Sequence, residues 1–173
     1  MSTWLRLALI TMTVGGGFAG LCSVVQAFFK SEGGSPVTMG LFAVMLVFYL
    51  FVIASGLLFV QHPQNTRPLF AALIIQVPWF SSSWFAYKFT TGFDVLFGML
   101  YPQGGGSLTF RWNFFLGGES QFTFGQSAPF ILGINLWALA MLVLLHRSAR
   151  LPVARPLNQT ATPAPVETSL IGH

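Results

Sequence analysis

Of the chain's 173 residues, 54% are hydrophobic and 16% aromatic, but only 7% are charged: eight Lys+Arg against four Asp+Glu. Soluble domains carry about 25% charged residues to keep their surface hydrated, so this composition excludes both an ordinary soluble globule and a disordered chain. The net charge is +4, yet the basic residues are scattered singly at Arg6, Lys30, Arg67, Lys88, Arg111, Arg147, Arg150 and Arg155. Nucleic-acid binders gather theirs on one face, so no nucleic-acid partner is expected. The expected class is an all-α integral membrane protein.

Four apolar runs follow in chain order. The first, Trp4 to Phe29, is longer than the ~7–15 apolar residues of a secretory signal and reads as an uncleaved transmembrane helix. Val37 to Val60 runs for 24 residues without a charge. A polar turn over 61–68 leads to a third run, Leu69 to Phe85. Pro129, a favourable first-turn residue, opens a fourth that ends at Leu145 before His146 and Arg147. A span needs about 20 apolar residues, so the expected architecture is a four-transmembrane-helix bundle over residues 1–147, with spans near 4–29, 37–60, 69–85 and 129–145. Arg6, Arg67, Arg147, Arg150 and Arg155 then share one side, against Lys30, Lys88 and Arg111 on the other. Counted by the positive-inside rule, this predicts a multi-pass protein of the cell inner membrane with both termini cytoplasmic.

Residues 86–128 form the expected extracytoplasmic loop. Phe89, Phe93, Leu96, Phe97 and Leu100 recur at helical spacing, which predicts an interfacial helix. Leu108, Phe110, Trp112, Phe114 and Leu116 alternate with other residues, and the alternation resumes at Phe122 and Phe124, which predicts a β-hairpin. A three-residue turn through Gly117, Gly118 and Glu119 sets Phe114 against Phe122 and Trp112 against Phe124, keeping like faces together. The tail over 148–173 is rich in Pro and Thr and predicts a flexible cytoplasmic segment.

Site chemistry is sparse. None of the four runs contains Asp, Glu, Lys or His, and only Arg6 lies near the start of one, so the embedded titratable groups of proton- or ion-coupled carriers are missing. His62 and His146 read as interfacial residues rather than ligands. Cys22 is the single cysteine, which leaves no Cys cluster for a metal. No metal and no cofactor are expected. Asp94 and Glu119 read as solvated loop carboxylates rather than an acid/base pair, so no enzyme is expected. Gly16 and Gly20 form a small-xxx-small pair and predict a helix-packing face. Gln76, Ser82 and Asn135, near a helix-kinking Pro78, form a candidate polar pocket.

The function expected from these features is a non-catalytic accessory or scaffolding subunit of a larger inner-membrane assembly. It would dock through an aromatic hairpin face: Phe110, Trp112, Phe114, Phe122 and Phe124. Its partners would be membrane lipids and other integral membrane subunits. The alternative is a small transport or lipid-handling protein using the polar pocket beside the kinked third helix. Of the 27 aromatic residues, 16 lie between Trp79 and Phe130, which directs the search for a partner to that stretch.

Overall fold

The computed structural model describes residues 2–31, 35–102, 106–125 and 129–150; the expected tail lies almost wholly outside them. Two of the expected spans are present as long helices. The first helix, Thr3–Lys30, and the second, Pro36–Gln61, are each long and apolar enough to cross a membrane. Ser2 caps the first by accepting from the Leu5 amide, and Ser35 caps the second by accepting from Thr38, with Pro36 in the first turn. Midway along the first helix, Thr11–Gly16 widens into a π-helical turn, a form that tends to mark functional or strained sites.

The other two spans do not exist as transmembrane helices. The third run is helical only over Arg67–Ile74, about 12 Å at 1.5 Å per residue against a ~30 Å hydrocarbon core. Pro78 then opens a strand instead of kinking a helix, a position where proline costs no ladder bond. The fourth run begins as a strand and becomes helical only over Leu136–Arg150. The fold is therefore not an all-α four-span bundle, and the multi-pass reading built on it is withdrawn. The described residues form four helices and a six-stranded antiparallel sheet.

The strands are β1 (Pro78–Ser81), β2 (Phe85–Thr90), β3 (Phe93–Tyr101), β4 (Thr109–Leu116), β5 (Glu119–Phe124) and β6 (Phe130–Asn135), in the order β4-β3-β6-β1-β2-β5. The expected interfacial helix is absent, since its residues form β2 and β3. The expected hairpin is absent too, because β4 and β5 do not pair and lie on opposite edges. Instead, one long ribbon runs in an unbroken register, from Phe85 opposite Phe124 through Thr90 opposite Glu119 and Phe93 opposite Leu116 to Leu100 opposite Thr109. Both of its strands bend at the same level, at Thr91–Gly92 and Gly117–Gly118. Gly92 has φ +80, open to glycine and strained for other residues. β1 and β6 fill the mouth of the bent ribbon, each pairing with the other and with one inner strand.

Side chains alternate across this sheet. One face is apolar and aromatic, with Phe80, Tyr87 and Phe122 in one row and Ile134, Phe97 and Trp112 in another. The other carries Trp79, Lys88, Thr90, Asp94 and Glu119. Where β2 and β5 meet the second helix, Phe89 and Phe122 make edge contacts with Phe48, and Phe89 also meets Tyr49. At the opposite end, Leu5, Leu9, Phe59, Leu69, Leu73, Met141 and Leu145 form a second core where all four helices meet.

Candidate functional site

Three features of the sheet carry chemistry or recognition. The first is the polar bend. β2 and β3 are separated by two strands in the sheet, yet the bend brings Lys88 on β2 to 3.9 Å from Asp94 on β3 and 2.5 Å from Glu119 on β5. Lys88 and Asp94 are buried, and the Lys88 ammonium also lies 5.8 Å from the Trp79 ring centre. Glu119 keeps 40% of its side chain exposed. Among the described residues, neither carboxylate oxygen of Asp94 has a hydrogen-bond partner. Burial pushes the Asp94 carboxyl up from its ordinary 3.8 to about 6, opposed by the Lys88 charge and assisted by Glu119. Asp94 and Glu119, expected as loop carboxylates in water, thus share a single ammonium, and only Glu119 reaches the surface.

The second feature is the set of amides that holds the bend. Gln76 Oε1 accepts from the Thr91 amide and hydroxyl, while its Nε2 donates to the Ala72 carbonyl. Asn135 Oδ1 accepts from the Trp137 and Ala138 amides at the start of the fourth helix, and from Val95. Both side chains are buried and committed to the backbone. Ser82 is in the β1–β2 turn, accepting from Trp84 and Phe85. Of the three residues of the expected polar pocket, Gln76 and Asn135 are thus bonded to backbone through their side-chain oxygens, and Ser82 to its own turn.

Gly16 and Gly20, expected as a helix-packing face, lie against the sheet as well as the second helix. A Cβ on Gly16 would meet the Gly92 backbone, and one on Gly118 would meet Gly20 Cα at 2.3 Å. Gly20 also receives the Tyr49 ring of the second helix.

The third feature is β4, on which every residue is exposed. Two bonds fix the direction of its backbone groups. The Gly117 amide donates to the Gly92 carbonyl across the ribbon, and the Val95 amide on β3 turns the other way, to Asn135. Because backbone groups alternate along a strand, the even-numbered residues of β4 turn theirs to the open edge. Phe110, Trp112, Phe114 and Leu116 therefore present unpaired backbone and an apolar side chain together, with Phe110 and Trp112 seated on Phe97. The five expected docking aromatics divide here. Phe110, Trp112 and Phe114 lie on the uncovered strand; Phe122 is buried against Phe48, and Phe124 stacks on Phe85 at the other edge.

Sequence reasoning missed Lys88 and Tyr49. The available signal for Lys88 was the alternation Phe85, Tyr87, Phe89, which sets Lys88 on the opposite face of a strand. Among the described residues, no three His, Cys, Asp or Glu side chains converge as a metal site requires.

No protein-family model, curated protein or solved structure matches this chain.

Proposed function

We propose that this is a non-catalytic accessory subunit, anchored in the inner membrane by its two long helices, that recruits another integral membrane subunit onto β4. The observation that carries this reading is β4 itself. An eight-residue edge strand with a free backbone and an apolar side is normally covered or blunted, and strand addition is a recurrent way to use such an edge. The anchor is supported by exposed apolar side chains along both helices, among them Leu7, Phe18, Val47 and Leu50, which suit contact with lipid. A cytoplasmic location for the N-terminal end is supported by Arg6, Arg67 and Arg147 near one end of the helices against Lys30 at the other.

The test is co-purification in mild detergent with a photoreactive residue at Trp112. The expected result is a cross-link to one stoichiometric membrane protein, lost in Trp112→Ala with Phe114→Ala and in Phe114→Pro. Proline at position 114 removes only an outward-facing donor, so the fold should survive. A chain that purifies alone and gives no cross-link would overturn the reading.

A further inference from the structure

A cleft of about 290 Å³ opens between the first helix, the second helix and the start of β5. Its walls are apolar, with Ala27, Phe42 and Met45. Its polar end is assembled from separate elements. Glu119 and Ser120 line it from β5. Glu119 is bonded to Lys88 through Oε2, and the Ser120 hydroxyl donates weakly to the Met45 sulfur at 3.5 Å.

The polar end of the cleft favours one class of ligand. The charge balance says what kind. Two carboxylates, Asp94 and Glu119, stand around one ammonium, Lys88, and Glu119 is the one that reaches the cleft. A second cation there would restore neutrality. An ammonium with N–H donors suits the second Glu119 oxygen and the Ser120 hydroxyl, both of which accept. The apolar walls suit an alkyl chain attached to it.

We propose that this cleft binds the primary ammonium head of an amphiphile, held by Glu119 and Ser120, with its alkyl part against Ala27, Phe42 and Met45. Two sources present this chemistry: an ethanolamine lipid headgroup and a free long-chain amine.

The experiment uses the full-length protein, first in nanodiscs of equal phosphatidylethanolamine and phosphatidylcholine, with retained lipid read by native mass spectrometry. A second arm compares octylamine with octan-1-ol by thermal shift in detergent. About tenfold enrichment of the ethanolamine lipid, the ratio that 1.4 kcal/mol produces, identifies a headgroup site. No enrichment, but a shift with octylamine that octan-1-ol does not produce, identifies a free-amine site. Either signal should disappear in Glu119→Gln. It should also disappear in Ala27→Phe, which fills the cleft with the Lys88–Glu119 pair intact. Equal retention of the two lipids together with equal shifts by amine and alcohol overturns the proposal, as does binding that survives both substitutions.

Discussion

Gly16 and Gly92 meet backbone to backbone: a methyl group on Gly16 would lie 2.0 Å from the Gly92 amide nitrogen. The contact seats the bend of the ribbon on the π-helical turn of the first helix, so sheet and helix share one joint. Backbone cannot yield as a flexible side chain can. Gly16→Ala should therefore cost at least ~2 kcal/mol, toward the upper range of overpacking substitutions, and lower the unfolding midpoint. Gly40 has nothing within 4 Å of an added Cβ, and Gly40→Ala should leave the midpoint unchanged or raise it slightly through helix propensity. Equal effects from the two substitutions would refute the joint.

Asp94 makes stability depend on pH. Its carboxyl rises on folding from 3.8 to about 6, so the folded chain holds that proton more tightly than the unfolded one. The resulting stabilisation is complete below about pH 4 and is lost as pH rises through about 6. Unfolding midpoints measured in detergent should therefore fall between pH 4.5 and 7.5. Asp94→Asn should flatten that dependence and stabilise the protein near pH 7 by on the order of 3 kcal/mol. A midpoint that rises over the same interval in the wild type would contradict the assignment.

The aromatic residues of the ribbon should separate into two energetic classes. Phe122→Ala opens a hole against Phe48 and Tyr87 and should cost about 3–5 kcal/mol. Phe114 is 66% exposed, and Phe114→Ala should stay within about 1 kcal/mol of wild type. Denaturant titration of both variants distinguishes these outcomes. A large loss at Phe114 would mean that β4 contributes to the core of the single chain.

Gln76→Leu should destabilise through the bend. The substitution leaves the Thr91 amide and hydroxyl without the acceptor they now share, at about 1–3 kcal/mol for the orphaned groups. Gln26, the comparable amide in the first helix, is exposed, and Gln26→Leu should be nearly neutral. Hydrogen exchange at Thr91 is the sensitive readout, faster in Gln76→Leu and unchanged in Gln26→Leu.

The two long helices were legible because an uninterrupted apolar run of more than 20 residues admits few other forms. The sheet was not, for a reason visible at particular positions. Phe89, Phe93, Leu96, Phe97 and Leu100 fit a helical spacing. Yet the same stretch alternates strictly over Phe93, Val95, Phe97 and Met99, with Asp94, Leu96 and Gly98 between them. Leu96 is apolar and buried on the second face, which blurs the alternation that marks a strand. The ribbon register was out of reach as well. Gly117 and Gly118 have the composition of a hairpin turn, but they serve as a corner within the ribbon, between β4 and β5. The exposure of Phe110, Trp112 and Phe114 could be expected from their alternation, but the burial of Phe122 depends on Phe48, which is 74 positions earlier in the chain.

The strand order also sets a sequence of events during synthesis. The hairpin of β1 with β2 and the ribbon pairings are available as soon as Phe124 has emerged. β6, the last strand made, belongs at the middle of the sheet between β3 and β1. Until it arrives, both of those strands keep an unpaired edge beside a row of aromatic side chains, the condition under which chains pair with the wrong neighbour. A ribosome-held chain ending before Phe130 should accordingly be prone to aggregation, and one reaching the fourth helix should be protected. The segment that completes the sheet thus runs directly into the helix that completes the bundle, and Asn135 sits at the junction of the two events.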